Sequence, residues 1–581
     1  MKKILISLLL CSATIAHAQI EHRFENNRSF THQAAIAAYQ SLDDTYDSAK
    51  LTLVGTTDIG RPLHVFIIDK HEEFEAQKAR KRNKRVLLVN NGIHPGEACG
   101  IDASIWWAEK LLKEDSPMLE NTVVVIIPVY NVGGALNRGC CWRTNQNGPE
   151  MHGFRGNAQN LDLNRDFIKC DSKNAESFTK LFHRWNPDIF VDTHTTNGAD
   201  YQYTMTLIAP NKDKMDQLLG AVTENDLLPF LYKQMESDGF PMIPYVAKRG
   251  ATPEAGIVHF PDGPRYSSGY VNLFHTLGFT AEAHMLKPFE DRVRATAALL
   301  QNLLKMTDQY GELIAQLRKK ATEKTALLDE VEMNHRVDTS NYEMIDFKGY
   351  EAERKASPVT GHEQVYYNTD KPYEKEIRYY KSLITGHTAT LPDYYIIPQA
   401  WSGVIDRLKW NNVELSRLKS DTKLVVNVQY IEDYSTVDDP YEGHYLHREV
   451  VTKSVVDSIQ YYTGDFVIAT DQPANIYLAH VLDPVSDDSF FNWNFFDAVL
   501  MQKEWFSPYV FDLEAEQLLE ENPELRSRFL TKKQDLKFAE DPWAQLYYLY
   551  QQTDHYEKTH NRYPVARYSG TIKKGLLETV N

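Results

Sequence analysis

The first half of the chain alternates short apolar runs with segments of helical periodicity. Four runs have the length of strands and are largely apolar: 85–90, 122–130, 188–192 and 278–283. Such runs are typical of strands buried on both faces of a sheet. Residues 98–113 place apolar side chains such as Ile101, Ile105 and Leu112 at helical spacing. The pattern predicts an α/β domain with a mixed, mostly parallel central sheet and flanking helices.

The pattern changes after the last of these runs. Residues 288–320 have helical periodicity and are predicted to pack back on the sheet and close the domain. The chain then becomes rich in Tyr and Val, with short strand-like runs at 424–428 and 465–469, and a helical segment is predicted from about Leu513. We predict three regions: a leader at 1–18, a first domain at 19–325, and a β-rich accessory domain with a helical C-terminal segment at 326–581.

The N-terminus has the features of an export signal. Lys2 and Lys3 precede a mostly apolar stretch at 4–15, and Ala16-His17-Ala18 fits a cleavage site of the A-x-A type. The apolar stretch is too short for a membrane-spanning helix, and no later segment is long and apolar enough for one. The sequence therefore predicts a periplasmic or secreted protein, with no membrane insertion after signal removal.

Composition excludes some partners and leaves disulfide bonding open. The formal net charge of −17 argues against a nucleic-acid partner, because such a partner normally requires a basic face. The same charge disfavours binding to anionic membranes. Export permits disulfides, but the sequence does not determine which cysteines pair. The four cysteines that follow the leader are Cys99, Cys140, Cys141 and Cys170.

Metal-ligating side chains follow two of the predicted strands. His94 and Glu97 lie three residues apart, directly after the strand at 85–90, and His194 closes the strand at 188–192. In open α/β sheets, ligand sites lie at the carboxyl ends of the strands. A catalytic zinc takes three nitrogen or oxygen ligands and keeps a fourth position open. We therefore predict one zinc ion per chain, held by these three residues.

Other polar residues supply groups that such a site needs. Asn164 and Arg165 could hold a carboxylate, because arginine offers a planar fork suited to bidentate binding. Glu282 lies in the apolar run at 278–283, a setting that raises the pKa of a carboxyl group towards the working pH. It is therefore a candidate proton carrier. The alternative is that Glu282 only pairs with His284.

Taken in order, these segments resemble the zinc carboxypeptidase family, of the carboxypeptidase A type. The resemblance rests on His94-Pro95-Gly96-Glu97, the segment 160–165, the strand that ends at His194 and the late strand that carries Glu282. It covers roughly residues 50–310 and leaves the C-terminal half unexplained. The His-Pro-Gly-Glu sequence is closest to the cytosolic carboxypeptidase branch.

The resemblance implies a role for each matching residue. A zinc-ligating histidine usually donates its other ring N–H to a carboxylate, so one of the implied roles is that of an orienting carboxylate. The implied roles are zinc ligation for His94, Glu97 and His194, orientation of the first zinc histidine for Asp162, binding of the substrate's terminal carboxylate for Asn164 and Arg165, and general acid/base catalysis for Glu282.

Two features of the family pattern are not fixed by the sequence. An arginine that polarises the scissile carbonyl should precede the carboxylate-binding pair, and both Arg143 and Arg155 are available. Arg155 is preferred, because the glycines that flank it let a loop fold over the site. A substrate-side tyrosine should precede the catalytic glutamate, and Tyr266 and Tyr270 are the candidates. Of these, Tyr270 is assigned to substrate binding.

The resulting prediction is a secreted, zinc-dependent, carboxypeptidase-like hydrolase that removes C-terminal residues from peptides. Its substrate would be a peptide or an acyl-amino acid with a free carboxylate. One alternative keeps the zinc and is an amidohydrolase that acts on acyl-amino acids or cell-wall peptides. A second alternative is an inactive zinc-fold protein whose β-rich half binds peptide or glycan. An intact Glu282 argues against this second alternative, because a binding protein has no need of the base.

Overall fold

The apolar runs lie side by side in a computed structural model of the chain, which describes residues 20–196 and 198–580. The first ten strands are β1 (Ala49–Thr56), β2 (Pro62–Ile68), β3 (Arg85–Asn91), β4 (Thr122–Ile127), β5 (Ile189–Thr196), β6 (Met205–Ile208), β7 (Met242–Pro244), β8 (Ala247–Lys248), β9 (Ile257–Val258) and β10 (Leu277–His284). Eight of them form a sheet in the order β1-β2-β4-β3-β5-β10-β6-β7. The four central strands, β4, β3, β5 and β10, are parallel and come from the four apolar runs.

Helices surround this sheet, as the apolar periodicity predicts. They are α1 (His32–Thr45), α2 (Ala76–Lys81), α3 (Cys99–Lys113), α4 (Val132–Leu136), α5 (Lys173–Trp185), α6 (Gln217–Val222), α7 (Leu228–Ser237), α8 (Ser267–Asn272) and α9 (Phe289–Thr325). The long α9 packs against α3 and buries Val293, Leu300 and Leu303 in the main core. It is the closing helix predicted at 288–320, and the mixed α/β fold class is confirmed.

A β-hairpin continues the first part of the structure past residue 325. The next strands are β11 (Glu330–Met333), β12 (Arg336–Val337), β13 (Glu343–Ala356), β14 (Glu363–Tyr380), β15 (Leu383–Ile384) and β16 (His387–Thr390). β14 pairs with β9, so a four-stranded sheet forms in the order β13-β14-β9-β8. Because of this pairing, the first compact unit extends to Leu391, beyond the domain boundary predicted at 325/326. The assignment of domains itself stays a prediction.

The second unit has the β-rich and helical character predicted for the C-terminal half. It comprises 392–405, 414–470 and the chain from Val481, while 406–413 and 471–480 belong to the first unit. Its strands are β17 (Tyr394–Ile397), β18 (Leu415–Leu418), β19 (Thr422–Thr436), β20 (His447–Tyr461), β21 (Phe466–Ala469), β22 (Ala566–Tyr568) and β23 (Leu577–Val580), in the order β20-β19-β22-β17-β21-β18-β23. The remaining α-helices of the described residues are α10 (Ser402–Trp410), α11 (Asn475–Leu482), α12 (Pro508–Glu521), α13 (Pro523–Lys532), α14 (Leu536–Ala539) and α15 (Pro542–Tyr550).

Two of the four cysteines that follow the predicted leader are bonded to each other. Cys140 and Cys141 form a disulfide between adjacent residues, whereas Cys99 and Cys170 are free and buried. The leader predicted at 1–18 lies outside the described residues. Within 20–196 and 198–580, no helix is long and apolar enough to cross a membrane.

Candidate active site

The three predicted metal ligands meet at the carboxyl edge of the central sheet. His94 and Glu97 lie in the loop between β3 and α3, and His194 lies near the end of β5. Because β3 and β5 are parallel neighbours, their carboxyl ends lie together. Nδ1 of His94 is 3.2 Å from Oε1 of Glu97, and Nδ1 of His194 is 3.1 Å from Oε2. All three side chains are buried.

Glycines give the loop after β3 its shape. Gly92 has a φ of +68°, in the left-handed region that favours glycine. A Cβ on Gly96 would lie 3.0 Å from the carbonyl oxygen of Gly153, so the close approach of these two backbones needs a residue without a side chain. The N–H of Glu97 donates to the carbonyl of His94 at 2.8 Å. This turn directs both side chains of the pair towards β5.

Each histidine has a carboxylate beside its second ring nitrogen. Nε2 of His94 is 2.9 Å from Oδ1 of Asp162, the residue to which the sequence assigns this place. Nε2 of His194 is 3.1 Å from Oδ2 of Asp192, which also accepts a hydrogen bond from the hydroxyl of Ser267 at 2.5 Å. Asp192 was not predicted. The signal for it is the D-x-H spacing in a buried strand, because residues two apart point to the same face.

The chemistry of the cluster suits a divalent metal ion. Nδ1 of His94 is a buried ring nitrogen that lies 3.2 Å from Oε1 of Glu97 without the geometry of a hydrogen bond, as expected when two ligand atoms face a shared ion. Burial alone would raise the pKa of Glu97, but the charge of Arg143 and contacts with the two histidines hold that pKa well below its usual range. The carboxylate is therefore ionised, as metal binding requires. Within the described parts of the chain, these residues are the one group of three His, Cys, Asp or Glu whose ligand atoms converge, all within 4.8 Å of one another.

Glu282 is adjacent to the ligand cluster. It lies in β10 directly beside His194 of β5. Glu282 and the three ligands line one cavity, the active-site cavity. Burial raises the pKa of Glu282 to about 7, although the neighbouring histidines oppose this. Its alternative partner, His284, instead has Nε2 at 3.0 Å from Asp200 and stacks on a tyrosine ring. Glu282 is thus placed for proton transfer near neutral pH.

Asn164 and Arg165 line the same cavity. They belong to a single turn of 3₁₀-helix, Leu163–Arg165, whose preceding residue Asp162 accepts a hydrogen bond from the N–H of Asn164. Oδ1 of Asn164 accepts from the N–H of Ser267 at 3.0 Å, which fixes the amide. The guanidinium of Arg165 lies 4.5 Å from the centre of the Tyr266 ring. A cation held over an aromatic face in this way has a restricted orientation.

Both candidate arginines reach the metal-ligand cluster. NH1 of Arg143 donates to Oε1 of Glu97 at 2.6 Å and NH2 donates to the carbonyl of Thr195 at 2.8 Å. Arg155 is farther from Glu97, at 3.4 Å, and is held by Asp162, which accepts from its Nε at 2.9 Å. The side chain of Arg143 is 16% exposed and that of Arg155 is 46% exposed. The two arginines therefore differ in burial and in the carboxylate that holds them.

The two candidate tyrosines occupy different places. Tyr266 lines the cavity, as does Tyr245, which the sequence did not indicate. Tyr270 is fully buried in α8, and its hydroxyl donates to Oδ1 of Asn411 at 2.6 Å. The contact with substrate assigned to Tyr270 does not agree with this placement, because its ring packs inside the core and lines no part of the cavity.

The cavity that joins these groups has a volume of about 260 Å³. The ligand cluster, the two arginines and Glu282 line it. Asn164, Arg165 and Tyr266 line it as well, together with Ile208 and Phe260. A metal-ligand set, a partly buried carboxyl group with a raised pKa and an arginine fork therefore open into one space, the arrangement expected of a metal-dependent hydrolase that recognises a carboxylate.

Comparison with known proteins agrees with this arrangement. Residues 36–205 match the zinc carboxypeptidase family model. This segment contains all three ligands and the Asp162–Arg165 segment, while Glu282 lies beyond it. The chain therefore carries a zinc carboxypeptidase domain, and the predicted family is confirmed. Its placement near the cytosolic branch stays a prediction.

Individual relatives are distant. The chain is 22% identical over 456 residues to carboxypeptidase 2 of Trichophyton tonsurans, a match that covers 71% of this chain and 74% of that protein. It is 26% identical over 214 residues to the inactive metallocarboxypeptidase ecm14 of Schizosaccharomyces pombe, covering 31% and 42% of the two chains. Among solved structures, the metallo-carboxypeptidase from Burkholderia cenocepacia matches with a TM-score of 0.36 and 16% identity over 48% of this chain and 70% of that one.

Proposed function

We propose that the protein is a zinc-dependent carboxypeptidase that removes C-terminal residues from peptides. The observation that carries this proposal is the single cavity onto which the ligand cluster, Glu282 and Arg165 all open. The zinc carboxypeptidase domain and the similarity to a protein named carboxypeptidase 2 support it.

His94, Glu97 and His194 would hold the zinc ion, which supplies a Lewis acid that polarises the scissile carbonyl and lowers the pKa of a water molecule. Glu282 accepts a proton from the attacking water and then delivers it to the nitrogen of the leaving amine. Its raised pKa suits both steps, because a group that titrates near the working pH exchanges protons in either direction. Asp162 and Asp192 orient the two histidine rings.

Arg165 and Asn164 bind the terminal carboxylate of the substrate. The arginine fork can donate two parallel hydrogen bonds to a carboxylate, and its stacking on Tyr266 limits its motion. This contact places the last peptide bond of the substrate, rather than an internal bond, beside the ligand cluster. A protein that holds its substrate in this way acts as an exopeptidase.

The charge that develops on the carbonyl oxygen needs a cation, and two arginines are within reach. The sequence favours Arg155, but the contact of this residue with Asp162 ties it to the orienting carboxylate. Arg143 is more buried and lies closer to the ligand cluster. We therefore assign stabilisation of the oxyanion to Arg143 and keep Arg155 as the alternative, because a buried donor acts in a lower dielectric.

Two other functions are alternatives for the same fold. An amidohydrolase that acts on acyl-amino acids or cell-wall peptides would need the same carboxylate clamp, and it would differ in the length of peptide that it accepts. An inactive peptide- or glycan-binding protein is favoured by the similarity to the relative named inactive. Against this stands Glu282, whose raised pKa near the ligand cluster has a use in catalysis but none in binding.

The proposed place of action is the periplasm or the medium outside the cell. The basic and apolar leader at 1–18 supports export. The disulfide between Cys140 and Cys141 also supports it, because disulfides persist in oxidising compartments.

A comparison of matched substrates tests the function. Zinc-loaded protein is incubated with blocked dipeptides, longer peptides, acyl-amino acids and muropeptides, each with a free C-terminus and with a C-terminal amide. Release of the last amino acid from free peptides only is the expected result. Equal cleavage of amidated peptides would contradict the proposal, and exclusive cleavage of acyl-amino acids or muropeptides would favour the amidohydrolase.

A further inference from the structure

A second cavity adjoins the active-site cavity, and three of its lining residues carry large apolar side chains. Its volume is about 450 Å³, and Trp142, Phe154 and Met285 form its apolar wall. It shares three lining residues with the active-site cavity: His94, Arg143 and Arg155. Since these three residues border both spaces, the second cavity begins at the ligand cluster itself.

The position of the second cavity relative to the ligand cluster determines which part of a substrate can enter that cavity. Asn164 and Arg165 line the active-site cavity and do not line the second cavity. If they hold the terminal carboxylate, as the proposed function states, then the last residue of the peptide occupies the active-site cavity. The chain on the other side of the scissile carbonyl then extends past His94 into the second cavity.

The chemistry of the wall favours an uncharged apolar group. The side chain of Trp142 is 53% exposed, an unusual position for the largest apolar side chain, and its ring meets that of Phe154 edge to face at 5.6 Å. No carboxylate lines this cavity. Its two arginines are paired with Glu97 and Asp162, and these carboxylates offset much of the attraction that the arginines would exert on an acidic side chain.

The segment that carries Trp142 is held on both sides. The disulfide of Cys140 and Cys141 immediately precedes it, and Arg143 immediately follows, with its guanidinium bonded to Glu97. Before the disulfide, Gly139 exchanges two backbone hydrogen bonds with His152, at 2.8 and 2.9 Å. An aromatic side chain on a constrained segment loses little conformational entropy when it binds a ligand.

We propose that Trp142 and Phe154 form a binding subsite for the residue that precedes the scissile bond, and that the protein prefers peptides with a bulky apolar residue at this penultimate position. The inference rests on the proposed carboxypeptidase function. It names Trp142 as a specificity-determining residue.

The test uses N-acylated dipeptides that share a C-terminal phenylalanine and differ in the penultimate residue, which is glycine, leucine, phenylalanine or glutamate. kcat/KM is measured for each with the full-length, zinc-loaded protein. We expect the leucine and phenylalanine peptides to exceed the glycine peptide by on the order of tenfold or more, the discrimination that an apolar subsite can provide. Trp142→Ala should reduce this ratio to near one, and Trp142→Phe should retain most of it.

Trp505, which is 56% exposed and lies in the second unit, provides the matched control. Trp505→Ala should keep the wild-type ratio. A ratio that Trp142→Ala leaves unchanged would overturn the subsite, including the case in which all substrates lose activity equally. A wild-type protein that cleaves every substrate without regard to the penultimate residue would also overturn it. If the wild type cleaves none of the free-carboxylate peptides while it binds zinc, the proposed function itself fails.

Discussion

Glu282 lies directly beside His194 in the parallel pairing of β10 with β5. The register of two neighbouring strands thus places the candidate base next to a candidate metal ligand. A shift of one residue would turn Glu282 to the opposite face of the sheet, because side chains alternate along a strand. The pairing therefore fixes the distance between Glu282 and His194 more firmly than a loop would.

Metal binding is the first prediction. Purified protein should contain about one zinc ion per chain, because three ligands with an open position make a single catalytic site. His94→Ala and His194→Ala should each lose most of this zinc in elemental analysis. His362→Ala, which changes an exposed histidine, should keep it. If both ligand variants kept their full zinc content, the proposed metal site would be wrong.

The carboxylate clamp gives a second prediction. Arg165→Lys keeps the positive charge but loses the planar fork, so kcat/KM for peptides with a free C-terminus should fall. Part of the loss should appear in kcat, because binding energy from a remote group positions the scissile bond. Amidation of the substrate should have the same effect on the wild type and should add little to the variant. Independent losses from the two changes would mean that Arg165 does not bind the carboxylate.

The third prediction concerns Glu282. Glu282→Gln keeps the size of the side chain and leaves the ligands in place, but the amide accepts no proton. kcat should fall by roughly a hundred- to ten-thousand-fold while zinc content is unchanged. Glu516→Gln, an exposed change in α12, is the control. A zinc-loaded Glu282→Gln protein with near-normal turnover would place the base elsewhere.

The third prediction extends to pH, because the raised pKa of Glu282 sets the direction in which both activity and stability change with pH. The base acts as a carboxylate, so kcat/KM should rise with pH through the pKa of Glu282, which is about 7 without metal. The positive charge of zinc stabilises the carboxylate, so the acid limb should lie at or below that value, as a macroscopic pKa of the coupled site. Because the folded state raises this pKa, Glu282 lowers the stability of the metal-free protein as pH rises from the unfolded pKa towards 7. Metal-free Glu282→Gln should therefore melt at a higher temperature than the wild type at pH 8, and not at pH 4.

Asp192 provides a fourth prediction. Asp192→Asn removes the charge beside Nε2 of His194, which should weaken zinc binding by roughly ten- to a hundred-fold in competition with a chelator. Asp308→Asn, an exposed substitution on α9, should leave zinc affinity unchanged. A melting curve of the metal-free variant separates loss of metal affinity from loss of folding. An unchanged zinc affinity in folded Asp192→Asn would show that His194 needs no orienting carboxylate.

The fifth prediction separates the two arginines. In protein saturated with zinc, Arg143→Ala should lower kcat by about a hundred-fold or more, the typical effect of removing one oxyanion donor. Arg155→Ala should have a smaller effect on kcat and should weaken zinc binding, because Asp162 loses a partner. The opposite pattern in kcat would assign the oxyanion to Arg155.

The sequence by itself determined the central strands, the helices beside them and the residues that converge at the sheet edge. These features are local, because neighbouring residues set an apolar run or a helical period. A ligand that directly follows a strand lies at the end of that strand, so its position is also known once the strand is predicted. The order of these segments along the chain and their resemblance to a known family singled out His94, Glu97, His194 and Glu282, and the structure brings these four together. The mixed α/β class followed from the same runs.

Only the tertiary structure decided which similar residues face the cavity. Tyr266 and Tyr270 are four residues apart with similar neighbours, yet one lines the cavity and the other is buried in α8. The Asp192 contact, the pairing of β14 with β9 and the exposed position of Trp142 likewise depend on segments that are distant in sequence. Local patterns assign a residue to an element, but the direction of its side chain towards core or cavity is set by what packs against that element.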